Sequence, residues 1–209
     1  MGQCDNMVYT ETVASTVHEW ELVKHIELSY ADGYYGGDQH GFSFGNLDPN
    51  VDEYKIRYDI AIPGGNENLL HTLYINFNND WVGGNYVSTL HEHGWNGSAN
   101  VHNQWTDRGD GSLLLAQAKV LHTSYRYRGW VKWYPQQFNN QDTQIIDHTQ
   151  RMTVKGECEH NYSLNEFFNT TTSGLYNTWM SSPSTYLFTG GSATCYGTAE
   201  LYKHVRDWR

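Results

Sequence analysis

The stretch Thr189–Arg209, "TGGSATCYGTAELYKHVRDWR", decides the fold class. Beyond Gly190-Gly191 its side chains alternate, with Thr194, Tyr196, Thr198, Glu200 and Tyr202 on one side and Ala193, Cys195, Gly197, Ala199 and Leu201 on the other. A repeat of two is the geometry of a strand, and a helix would instead repeat near 3.6. The side carrying Cys195 and Leu201 is the one expected to meet a core.

The same alternation recurs upstream. In "EYKIRYDIAIPGG" (Glu53–Gly65), Tyr54, Ile56, Tyr58, Ile60 and Ile62 point one way and Lys55, Arg57 and Asp59 the other, and Pro63-Gly64-Gly65 ends the run. Between Val17 and Tyr30, Trp20, Leu22, Ile26, Leu28 and Tyr30 share a face. "LLHTLYINFNND" (Leu69–Asp80), with Leu73, Ile75 and Phe77 on one side, is expected to pair with the Tyr54 strand as a hairpin. Ser112–Leu121 and Tyr125–Tyr134 read as the two strands of another hairpin, whose Lys119, Arg126, Arg128 and Lys132 form a solvated face. "TQIIDH", "RMTVKGEC", "SGLYNTWMSS" and "STYLFTGG" supply shorter strands, giving about ten to twelve in all.

Three segments read differently. Trp81–Gly111, rich in Gly, Asn, His and Trp, is expected to form long loops around a short strand at Asn85–His91. Phe167–Thr172 reads as a polar turn. "SLNEFFN" (Ser163–Asn169) is the single helix candidate, because Ser163 and Glu166 have the spacing of a capping box. The expected architecture is all-β: an antiparallel two-sheet β-sandwich, jelly-roll-like, with long end loops. Residues 1–16 are expected to form an N-terminal arm and residues 17–209 a single domain. The composition agrees, with 15% aromatic residues, 20 Gly, 4 Pro and 17% charged residues.

A net charge of −10 argues against a nucleic-acid partner, which needs clustered Lys and Arg to displace counterions. No apolar run approaches the ~20 residues that span a bilayer, and no secretory leader opens the chain, so synthesis in a cytosol without membrane insertion is expected. Cys4, Cys158 and Cys195 cannot all pair within one chain and lack zinc spacing, so free thiols are expected.

Few motifs carry chemistry. His91 and His93 stand at i and i+2 on one side of a strand with His102 near, a weak candidate set for Zn or Ni against an exposed strand edge. Asp107-Arg108-Gly109-Asp110-Gly111 suits a tight turn better than a calcium loop, since five residues supply too few oxygen ligands. Glycoside hydrolysis would need a carboxylate pair such as Asp80 with Glu92. No nucleophile elbow and no phosphate-binding glycine loop is present, so no enzyme activity and no cofactor are expected. Tyr34, Tyr35, Phe42, Trp81, Trp95 and Trp105 fall in expected loops, where they either stack on sugar rings or anchor a partner, or plug the ends of the sandwich.

Three phrases in order, "WELVKHIELS", "NLDPNVDEYKIRYDIAIPGGNENLLHTLYINFNND" and "YLFTGGSATCYGTAELYKHVR", resemble the β-sandwich module of tailed-bacteriophage tail-fibre and related virion surface proteins. The resemblance covers Trp20 to Tyr202. It departs from that module in Trp81–Gly111 and at Lys203-His204. It implies a non-enzymatic virion protein, made in the host cytoplasm and exposed on the particle exterior. It also implies a homo-oligomer, commonly a trimer, whose partners are other virion proteins and a host-surface glycan or receptor. Decoration of the capsid as a head fibre, a tail-connecting role, and a carbohydrate-active enzyme or free lectin stand as alternatives.

Overall fold

The computed structural model describes residues 20–28, 41–48, 51–63, 70–108, 110–119, 124–134, 152–163, 166–177, 184–190 and 195–204. The expected arm, Tyr34, Tyr35 and "TQIIDH" lie outside them. The described residues form twelve strands: β1 (Glu21–Leu28), β2 (Gly41–Phe44), β3 (Glu53–Pro63), β4 (Leu70–Phe77), β5 (Tyr86–Asn96), β6 (Asn100–Arg108), β7 (Leu113–Lys119), β8 (Ser124–Trp133), β9 (Met152–Ser163), β10 (Glu166–Tyr176), β11 (Thr185–Gly190) and β12 (Tyr196–His204).

The strands make an eight-stranded sheet, β1-β12-β3-β8-β9-β10-β5-β6, packed on a four-stranded sheet, β2-β11-β4-β7. All neighbours are antiparallel. With the β5–β6 and β9–β10 hairpins set aside, the rest is one long ribbon folded on itself. β1 pairs β12, β2 pairs β11, β3 pairs β8 and β4 pairs β7. Two further pairings, β12 with β3 and β11 with β4, wind that ribbon into a jelly roll. The two inserted hairpins widen only the larger sheet, and they meet each other where β10 pairs β5.

This winding revises two expected hairpins. β4 is not the neighbour of β3, and β7 is not the neighbour of β8. In each case the chain crosses to the opposite sheet, and the apolar sides of the two strands meet face to face. The inward side of β3, Tyr54 to Ile62, thus faces Leu73, Ile75 and Phe77 of β4 across the core, all of them buried.

The core is aromatic at its centre. Trp133 of β8 stacks on Tyr54 at 5.5 Å and meets Phe77 edge-on at 5.4 Å, so rings of the two sheets interlock. Tyr176 lies 5.5 Å from Phe77 and 4.8 Å from Tyr86. Such rings contribute roughly 1.5–3 kcal/mol each on burial. The closing strand behaves as its alternation foretold, with Cys195, Ala199 and Leu201 buried. Beside it at the sheet edge, the β1 register shifts between Leu22 and Lys24. Leu22 and Val23 are exposed as a result, and of the apolar face expected there Ile26 and Leu28 are the residues that pack on the core.

Three local expectations are corrected. Trp81–Gly111 is mostly regular, since β5 and β6 form a long hairpin. Its turn is set by Asn96, whose Oδ1 accepts from the amides of Ser98 and Ala99 at 3.1 and 2.9 Å, and by Gly97 at φ 84°. The helix expected over Ser163–Asn169 is overturned by its described residues: Ser163 ends β9 and Glu166–Asn169 open β10, whose side chains alternate with Phe168, Thr170 and Thr172 buried. Phe167–Thr172 is therefore strand rather than turn. Thr172 is satisfied inside the sandwich by donating to the Leu115 carbonyl at 2.8 Å.

Candidate functional site

Sequence reasoning placed six aromatic residues together in function, and the fold separates the four that are described. Phe42 is corrected outright: it lies on β2 at 0% exposure, as part of the core. Trp95 sits on the outer face of β5 opposite Phe167, whereas Trp105 pairs with Leu90 on the inner face of β6. Both belong to strands rather than loops. Trp81 alone is strongly exposed, at 51%, in the connection between β4 and β5.

Around Trp81 the outer face of the four-stranded sheet gathers a strip of rings. β11 alternates strictly, with Leu187 buried inward, so Tyr186 and Phe188 stand outward. Phe188 pairs in register with Tyr74 of β4, and those rings stack at 5.4 Å. Tyr186 stacks on Phe188 at 5.1 Å with planes 8° apart. Trp81 meets Phe188 edge-on at 5.5 Å, and its indole N–H donates to Asn79 Oδ1 at 2.7 Å, which fixes the ring. Phe188 is therefore the hub of four rings that are each partly or largely exposed.

Gly190 makes room for this strip. A Cβ at that position would stand 2.7 Å from Tyr74 Cε2 and would also collide with the Thr72 hydroxyl. Polar groups border the rings. Tyr74 Oη donates to Asp110 Oδ2 at 3.5 Å, and burial, with help from the Asp110 charge, holds its hydroxyl above the usual tyrosine range. Burial raises the Tyr186 hydroxyl as well. Both hydroxyls remain protonated donors at neutral pH. Flat apolar faces beside hydroxyl donors and a carboxylate match a pyranose, which offers an apolar C–H face and a rim of hydroxyls.

Of the segment expected as a tight turn, Asp107 and Arg108 instead end strand β6, Gly109 lies outside the described residues, and Asp110 and Gly111 lead into β7 beside this border. Gly111 takes φ 65°, and its carbonyl accepts from Asn76 Nδ2 at 2.9 Å. Asp80 is likewise a loop organiser, accepting from the Val82 amide, Asn85 Nδ2 and Tyr176 Oη at 2.7–3.0 Å.

Glu92 lies elsewhere. It is opposite Thr170, six residues along β5 from the Tyr86–Tyr176 pair, or about 20 Å of strand. Asp80 and Glu92 therefore do not form a carboxylate dyad. Glu92 is instead buried, 3.4 Å from His160 Nε2, and accepts from Asn103 Nδ2 at 2.9 Å.

The outer face of the eight-stranded sheet is of a different kind. A lateral row, Thr198, Asp59, Arg128, Glu159, Asn169 and His93, crosses six strands in register. A shallow cleft of about 440 Å³ opens along it, beside Trp130. Its charges answer one another: Asp59 accepts from both Arg126 and Arg128, and Trp130 Nε1 donates to Glu157 at 3.3 Å. Of the basic group expected on one hairpin, Arg126, Arg128 and Lys132 lie on β8, whereas Lys119 ends β7 in the other sheet, so the four do not form one face.

The three candidate histidines lie on this side of β5 and β6. His93 and His102 are paired across the hairpin, while His91 is opposite Gln104. Among the described residues no three His, Cys, Asp or Glu side chains group closely enough to hold an ion. No helix among them is long and apolar enough to cross a membrane. No protein-family model, no curated protein and no solved structure matches the chain.

Proposed function

We propose that the chain is a bacteriophage virion structural protein, tail-fibre-like, that mediates attachment to the host surface through the Trp81 strip. The observation that carries this reading is the four-ring array of Trp81, Phe188, Tyr74 and Tyr186 on an outward sheet face. Its ligand is a host-surface glycan whose sugar rings lie on those faces. The jelly-roll winding supports the reading, because this architecture serves both capsid and lectin domains, as does the resemblance of the Trp20–Tyr202 phrases. The protein acts as a homo-oligomer on the particle exterior, joined to other virion proteins and carrying no catalytic function.

The strip equally favours a second reading as a free lectin. One experiment separates and tests both. Purified protein is applied to bacterial surface polysaccharides, and a Trp81→Ala, Phe188→Ala variant with an unchanged circular dichroism spectrum is applied beside it. Loss of two stacking rings should weaken glycan binding by tenfold or more, since aromatic anchors carry roughly 1–2 kcal/mol or more each. Equal binding by the variant would overturn the assignment of the strip. Immunogold labelling of intact phage particles then tests location, and labelled particles exclude the free lectin.

A further inference from the structure

The β5–β6 hairpin carries an arrangement that attachment through the Trp81 strip does not use. His93 and His102 occupy one cross-strand pair on its exposed side. Their Nδ1 atoms lie 2.6 Å apart, and the rings meet edge-to-face with centroids 4.8 Å apart. Two imidazole nitrogens at that distance share a single proton, one ring donating and the other accepting. A cation with two open positions can take the place of that proton and accept a lone pair from each ring.

We propose that His93 and His102 form a two-imidazole chelate for a borderline divalent transition ion, Cu²⁺, Ni²⁺ or Zn²⁺. The donor set selects the metal class, because neutral imidazole suits these ions and the all-oxygen cations Ca²⁺ and Mg²⁺ find no carboxylate pair here. With no third ligand of the His, Cys, Asp or Glu type grouped there among the described residues, water completes the coordination. The backbone ladder sets the geometry in advance. Nine consecutive residue pairs from Val87↔Arg108 to Trp95↔Asn100 hold β5 and β6 in register, so the second imidazole is already in place when the first binds. The bound ion ties the two strands together near their turn, one residue pair beyond Gly94↔Val101 from the Trp95↔Asn100 end. Affinity among the three metals follows the order of intrinsic stability, with Cu²⁺ the tightest.

The test is calorimetric titration of the full chain with CuCl₂, NiCl₂ and ZnCl₂, alongside His93→Gln, His102→Gln and His91→Gln variants. All three side chains lie on a solvated face, so the variants are expected to fold, and circular dichroism checks this. The wild type should bind with Cu²⁺ tightest, and a high-affinity step should disappear from both His93→Gln and His102→Gln. Each loses about a hundredfold in affinity, because the second contact is intramolecular in the wild type. His91→Gln should retain the step. The thermal midpoint should rise on adding ion to the wild type and not to the His93→Gln variant. A wild-type isotherm indistinguishable from that of His93→Gln, or a high-affinity step lost only in His91→Gln, would overturn the proposal.

Discussion

The hydroxyl of Tyr86 on the eight-stranded sheet is bonded twice to one residue of the other sheet: it accepts from the Phe77 amide and donates to the Phe77 carbonyl, each at 3.1 Å. The Phe77 carbonyl also accepts from the Asp80 amide at 3.0 Å, so the hydroxyl is its second donor. Tyr86→Phe removes both of these bonds while the Phe77 carbonyl keeps the Asp80 amide, so stability should fall by about 1–2 kcal/mol, read as a lower urea midpoint at unchanged m value. A shift within error would mean that solvent reaches the Phe77 backbone.

The buried Glu92–His160 contact predicts a larger loss. Both side chains are almost fully buried, at 3% and 1%, and Thr170 sits 2.9 Å from the same His160 nitrogen. Glu92→Ala removes the carboxylate and leaves the buried His160 facing a void, a change expected to cost ~3–5 kcal/mol. Thermal unfolding monitored by near-UV dichroism reads this directly, and an unshifted midpoint would show that the pair is dispensable.

Gly190→Ala separates the aromatic strip from the frame. The added methyl meets the far end of Tyr74 and the Thr72 hydroxyl, so the Tyr74 ring must move off Phe188. Stability should change by roughly 1–2 kcal/mol, as for modest overpacking. Glycan binding should weaken more than this loss of stability can account for. Surface plasmon resonance at a temperature well below the melting point measures that difference.

The thiols give a pH signature. Burial pushes Cys158 up to about 12 and Cys195 up to about 11, against an ordinary value of roughly 8.5. Both acids therefore hold their protons in the folded state while the unfolded chain releases them. Stability contributed in this way is fully present below the unfolded value and declines as pH rises above about 8.5. In a Cys4→Ser background the native protein should be nearly inert to a thiol reagent at pH 8 and react fully once denatured. Rapid native labelling would contradict the buried placement.

The strands most legible in the sequence were those with one apolar and one charged side. β3 and β12 alternate so cleanly that their inward residues were identified correctly. β10 was hidden because its buried positions include Thr170 and Thr172, which enter the interior by hydrogen bonding rather than by hydrophobicity. β5 and β6 were obscured by the histidines and asparagines of an exposed face. Partnership was harder still to see than strand content. Nothing local distinguishes β3 followed by β4 in a hairpin from β3 followed by β4 across a core, since both arrangements demand the same alternation. The Trp81 strip was half visible for that reason. Trp81 stood out as a loop aromatic, but in "TYLF" both sides of the strand are apolar, and only the inward placement of Leu187 reveals that Tyr186 and Phe188 point out.

The two inserted hairpins have a consequence for how this molecule can diversify. The β5–β6 hairpin is inserted between the paired strands β4 and β7, the β9–β10 hairpin where the chain crosses from β8 to β11, and their mutual seam, β10 against β5, is made between the insertions themselves. The ribbon closes its winding through its own pairings without them. Substitution in β5, β6, β9 and β10 can thus recast half of the broad sheet's outer surface while leaving the opposite sheet and its rings untouched. One chain holds two surfaces that are free to drift on separate clocks.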